Sequence, residues 1–185
     1  RIIPYDYDAY FSNPARFVMV TTNCLTGKAE YFEEKSSSKR VMDIVRASSS
    51  LPFVSPITYV DGVPMLDGGI ADSIPVRYAI SQGYERLVVI LTRNKGYRKQ
   101  NSEMRAAKVF YRKYPNLQKA LSQRNAVYNQ TMDLIERLED EGRITVIRPI
   151  RPVEVGRMEK DTAKLTMLYQ EGYDIARSLI ACENA

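Results

Sequence analysis

At 185 residues, with 44% apolar and 26% charged residues and 9 prolines, the chain can bury roughly 70% of its unfolded surface in one core, and disordered or collagen-like polymers are excluded. It has no histidine and only two cysteines, Cys24 and Cys182, without C-x-x-C spacing; this removes Ser-His-Asp and Cys-His pairs, argues against zinc, and suits a reducing, cytoplasmic location. No apolar run approaches the ~20 residues of a membrane helix, no metal or cofactor is expected, and the opening at Arg1 reads as an interior boundary of a longer protein.

Phe17 to Thr22 is β-branched and apolar, and Ala29 to Phe32 is a second short run, so the two read as a hairpin or neighbouring strands. From Ser38, the spacing of Val41, Met42, Ile44 and Val45 predicts an amphipathic helix ending in Ser48-Ser49-Ser50. Pro52 and Pro56 force an extended chain before Ile57 to Val60, and Asp61-Gly62 between apolar flanks predicts a hairpin turn into Val63 to Leu66. After Asp67-Gly68-Gly69, Ser73 and Pro75 sit where an N-cap and first-turn proline belong, and Gly83 closes that helix. Leu87 to Leu91 reads as a strand covered on both faces. Strand, helix and strand in this order imply an α/β fold with a mostly parallel sheet flanked by helices. From Arg93 to about Glu141 the chain reads as helical, with a stripe of Met104, Ala107, Val109 and Phe110, a break at Pro115 and a second stripe ending at Leu138. Ile144 to Ile147 is a further strand, and Thr162 to Ile180 a last helix.

Charge is uneven. From Arg93 to Arg124 there are ten Lys and Arg against one acid, Glu103, a field attractive to anionic headgroups or nucleic-acid phosphates. Tyr97, Tyr111 and Tyr114 interleave with it, but tyrosines at helical spacing are more often packing residues, so nucleic acid is not expected as a partner. Asp67-Gly68-Gly69 has two readings. It is either an ordinary Asp-Gly turn, or a carboxylate presented at a strand end by glycines that permit positive φ and a close backbone approach. Asp72 reads as a second acid at the same place or, with Ser73, as a helix cap. The triple serine lacks the glycines of a G-x-S-x-G turn, a motif absent from the chain, and reads as a helix-ending turn.

Taken in order, Val20-Thr21-Thr22-Asn23-Cys24-Leu25-Thr26-Gly27, Arg46-Ala47-Ser48-Ser49-Ser50-Leu51-Pro52 and Leu66-Asp67-Gly68-Gly69-Ile70-Ala71-Asp72-Ser73-Ile74-Pro75 resemble the bacterial patatin-like phospholipases. Arg124 through Ile180 resembles the C-terminal extension of one bacterial branch of that family. The resemblance implies a serine–aspartate dyad hydrolase of lipid acyl esters. Asp67 is then the aspartate, Gly68 and Gly69 allow its close approach, and the nucleophilic serine and oxyanion loop lie upstream of this chain. It also implies that residues 1–100 carry the C-terminal part of the hydrolase core, and residues 101–185 a basic helical segment, a final strand and a C-terminal helix. The other reading is a non-catalytic module using the Arg93 to Arg124 surface on anionic membranes or nucleic acid.

Overall fold

The computed structural model describes residues 4–100, 105–156 and 159–183. Arg1, Glu103 and Met104 lie outside the described residues, as do the side chains of Arg105, Ile180 and Cys182. In chain order the elements are α1 (Tyr7–Ser12), β1 (Met19–Asn23), β2 (Ala29–Phe32), α2 (Ser38–Ser48), β3 (Thr58–Val60), β4 (Val63–Asp67), a 3-10 turn (Gly68–Ile70), α3 (Val76–Ser81), β5 (Leu87–Ile90), α4 (Arg105–Phe110), α5 (Pro115–Asp140), β6 (Ile144–Ile147) and α6 (Thr162–Glu183). The chain divides into two compact units, residues 1–75 with 100–128, and residues 76–99 with 129–185.

The first unit is built on a four-stranded sheet in the order β2-β1-β4-β3. Its strand pairs are all antiparallel. Short connections dictate two of them, because parallel neighbours need a crossover of a dozen or more residues, whereas β1 and β2, like β3 and β4, are joined by tight turns. At Asp61 and Gly62 both φ angles are positive, +51° and +79°, the geometry that matches strand twist in a two-residue hairpin. α2 covers one side of the sheet. Ser37 caps it by accepting the Arg40 N–H at 3.3 Å, and Val41, Ile44 and Ala47, spaced along one helical face, are buried. Ile44 and Ala47 pack with Met19, Val60 and Met65. A second cluster joins Cys24, Leu66 and Ile70 to Ala107 of α4, Tyr111, and Leu117 and Leu121 of α5. Asn116 ties this side together by donating from Nδ2 to the Leu25 carbonyl at 2.7 Å. Burial pushes the Cys24 thiol up to about 12.

α1 has no counterpart among the sequence expectations, although Asp6 caps it by accepting from the Ala9 N–H at 2.9 Å. The expected break falls at residues 111–114, between α4 and α5, and Pro115 begins α5; at the first helical position its missing N–H costs nothing. The segment just after Arg93 is not helical, the chain turning through residues 94–99.

In the second unit β5 and β6 run parallel, Leu87 opposite Ile144 and Ile90 opposite Ile147. Parallel pairing is therefore confined to this pair among the described residues, and a mostly parallel sheet is not what the strands form. The expectation that Leu87 to Leu91 is covered on both faces also fails: Val89 and Leu91 are buried while Val88 and Ile90 are exposed. A two-stranded sheet offers only one covered face here, with α6 against β6. Arg98 joins Asp133 and Glu136 of α5, each at 2.7 Å, and Lys95 joins Asp140 at 2.9 Å. The Arg98 guanidinium, helped by the Gly96 N–H, holds the Glu136 carboxyl down to about 2.

Candidate functional site

Asp67 is the last residue of β4, opposite Thr21 of β1. Its backbone is fixed on both sides: its N–H donates to the Ser50 carbonyl at 2.9 Å and its carbonyl accepts the buried Thr22 hydroxyl at 2.9 Å. The chain then tightens into the 3-10 turn, and the Gly69 N–H donates to Asp67 Oδ1 at 2.6 Å. Among the described residues nothing donates to the other carboxylate oxygen, which leaves Oδ2 for a proton to be taken up.

The glycines are required by space. A Cβ on Gly68 would sit 2.4 Å from the Val20 carbonyl oxygen and 2.6 Å from its carbon, both backbone. Neither Gly68 nor Gly69 has positive φ, so of the two reasons expected for glycine here, close approach holds and left-handed backbone does not.

The Gly69 carbonyl is held in turn. Arg124 of α5 donates to it through Nε at 2.7 Å and the Ser73 hydroxyl at 2.8 Å. Ser73 therefore turns back into the loop and does not cap α3. Asp72 is not a cap either. Its Oδ2 accepts the Tyr31 hydroxyl at 2.6 Å, and its N–H donates to the Gly68 carbonyl at 2.9 Å. The second acid lies beside the first.

Asp67, Gly68, Gly69, Asp72 and Ser73 line one cleft of about 360 Å³, with Ser48 and Ser49 at the end of α2 and apolar walls from Phe17, Val18, Val20, Val45 and Pro75. Two carboxylates and an apolar wall thus line the same cleft. The three serines lining the cleft each donate to a main-chain oxygen, Ser48 to Val20 at 2.8 Å, Ser49 to Val45 at 2.9 Å and Ser73 to Gly69 at 2.8 Å. None of these hydroxyls is aligned on Asp67, in keeping with the triple serine as a helix-ending turn.

In sequence, Arg124 is one cation of a basic run and Tyr31 a strand residue. The only signal for Arg124 was its place in an acid-free stretch, residues 104–132. The run itself is divided between the units. Lys95 and Arg98 are neutralised by acids in the second, while Lys108, Arg112, Lys113 and Lys119 are exposed in the first.

Residues 11–80 match the family model described as Patatin-like phospholipase, and residues 114–181 match one described as Domain of unknown function (DUF6363). The Uncharacterized protein YjjU of Escherichia coli (strain K12) is 48% identical over 52 residues, which are 28% of this chain and 15% of that relative's length. Among the described residues, no helix is long and apolar enough to cross a membrane.

Proposed function

Residues 11–80 being a patatin-like phospholipase segment, we propose that this chain is part of a lipid acyl ester hydrolase in which Asp67 is the base of a serine–aspartate dyad. The nucleophilic serine and the oxyanion loop are supplied by sequence outside these residues, and the larger sheet that receives β5 and β6 is mostly parallel. A serine hydroxyl is a poor nucleophile until a base takes its proton. Asp67 Oδ2 takes that proton as the serine oxygen bonds to the ester carbonyl carbon. The proton then passes to the leaving alcohol as the C–O bond breaks, and water, activated by the same carboxylate, releases the fatty acid. Hydrolysis needs no metal in this scheme. The acyl chain lies along the apolar wall of the cleft, and the enzyme works from the cytoplasm on a lipid surface.

The observation that carries this reading is the Asp67 loop. A turn seated directly on β1, with one carboxylate oxygen held by the Gly69 N–H, in a residue that lines the cleft, supports a base that uses the other. The test is hydrolysis of a short-chain ester by a longer protein that contains this chain. Asp67→Asn keeps the shape and removes the base, so turnover should fall by several orders of magnitude with folding intact. Full activity in that variant overturns the assignment.

A further inference from the structure

The first unit carries an apolar ridge with a cationic border. Phe53 and Phe110 meet edge to face with ring centres 5.7 Å apart, and the Phe53 N–H donates to the Tyr111 hydroxyl at 2.9 Å. These contacts lay the turn after Leu51 against the end of α4. Next to them in the chain Val54, Val109 and Phe110 are 79%, 77% and 68% exposed. Phe53 is held at φ +68°, a left-handed backbone that is costly for a bulky side chain. That strain is sustained by the ring and hydrogen-bond contacts just named, so the turn is built and specified.

The two chain segments that build the ridge carry charge of one sign. Lys108, Arg112 and Lys113 are exposed beside it, no acid occurs between residues 104 and 132 or between 51 and 60, and among the described residues no ion pair takes up these three cations. Aliphatic and aromatic side chains that enter between headgroups, flanked by cations that meet lipid phosphates, are what an anionic bilayer surface accepts. Single-stranded nucleic acid is a poorer match, because Val54 and Val109 offer no ring for base stacking.

We infer that Val54, Val109 and Phe110, with Lys108, Arg112 and Lys113, form a docking surface for anionic bilayers. The choice of lipid as occupant rests on the hydrolase reading of the Asp67 cleft. The surface seats the enzyme on the aggregate that holds its substrate, with affinity divided between apolar insertion and charge.

The chain has no tryptophan, so Phe110→Trp introduces a single reporter. Its emission should shift to the blue on phosphatidylcholine vesicles containing phosphatidylglycerol, and not on phosphatidylcholine alone. A reporter placed by Val88→Trp, in the second unit, should not shift. Co-sedimentation of the chain with the anionic vesicles should weaken about fivefold at low salt for each of Lys108→Gln and Arg112→Gln, and Val109→Ser should weaken it in high salt as well, with far-ultraviolet circular dichroism unchanged. No blue shift from Phe110→Trp, an equal shift from Val88→Trp, equal binding to neutral vesicles, or tighter binding to single-stranded DNA than to anionic vesicles would each overturn the docking surface. Binding is read without turnover, so these outcomes are separable from failure of the Asp67 hydrolysis test.

Discussion

Arg124 and Gly69 are 55 positions apart in sequence, and the Arg124 Nε donates to the Gly69 carbonyl at 2.7 Å. One end of the Gly69 residue is thereby pinned to α5 while its N–H, at the other end, pins the Asp67 carboxylate. Arg124 acts on Asp67 through a peptide.

Arg124→Gln should therefore lower kcat of the longer protein about tenfold with KM little changed, while costing this chain about 1.5–3 kcal/mol, the range for a charge-assisted hydrogen bond. Arg124→Lys should not restore the rate, since an ammonium cannot reproduce the guanidinium Nε geometry. Steady-state kinetics and urea titration check both; a KM effect without a kcat effect would show that Arg124 binds substrate.

Gly68→Ala and Gly62→Ala should both destabilise, for different reasons. The first drives a methyl into the Val20 backbone and should cost about 1–3 kcal/mol, as overpacking does. The second has open space but φ +79°, and should cost about 1–2 kcal/mol from backbone conformation alone. Asn separates them: Gly62→Asn should be milder than Gly62→Ala because Asn tolerates the left-handed region, whereas Gly68→Asn should be no better than Gly68→Ala.

Cys24 is fully buried and its thiol is pushed up to about 12, so almost no thiolate forms at neutral pH and no reagent reaches it. In a Cys182→Ser background the native chain should resist a disulfide-exchange reagent at pH 8 and react with one equivalent after denaturation. Prompt labelling of the native chain would place Cys24 at the surface.

Acid should weaken both units through one carboxylate in each. The Ser36 hydroxyl, the Arg40 guanidinium and the Ser36 N–H hold Glu34 down to about 2, and Arg98 with the Gly96 N–H does the same for Glu136. Carboxyls depressed in the folded state contribute stability that is fully present above their unfolded value, 4.5 in these two cases. It is lost as pH falls from there through about 2. Denaturant midpoints should accordingly drop between pH 5 and pH 2, and Glu34→Gln should flatten that slope while lowering the plateau.

The local chemistry of the chain was legible, and its long-range pairing was not. Asp61-Gly62 announces its turn because few residues other than Asn, Asp and Gly accept positive φ, and Val41, Met42, Ile44 and Val45 announce a helix by spacing alone, although its buried face is Val41, Ile44 and Ala47, with Met42 exposed. Asp67-Gly68-Gly69 was legible only as one of two things, an ordinary turn or a strand end with close approach, and the seating of Gly68 on the Val20 backbone, 48 positions away, decides for the second. What supports it was hidden: Asp72 finds Tyr31 41 positions away, and Arg124 finds Gly69, through pairings set by the sheet and helix packing. The parallel sheet was expected from a strand–helix–strand order that holds only for β5 and β6. β1 lies inside its sheet between β2 and β4, because the chain returns from α2 to lay β4 against it, a pairing no local pattern announces.

The interleaving of the units sets an order in time. The core around Cys24, Leu66 and Ile70 is closed by Ala107, Tyr111, Leu117 and Leu121, which the ribosome makes later, after a stretch belonging to the other unit. At about 5–20 residues per second, some 50 residues of delay leave Leu66 and Ile70 facing water for about 3–10 s. The nascent chain, with its sheet drafted and its lid unmade, is the form most open to chaperones and proteases.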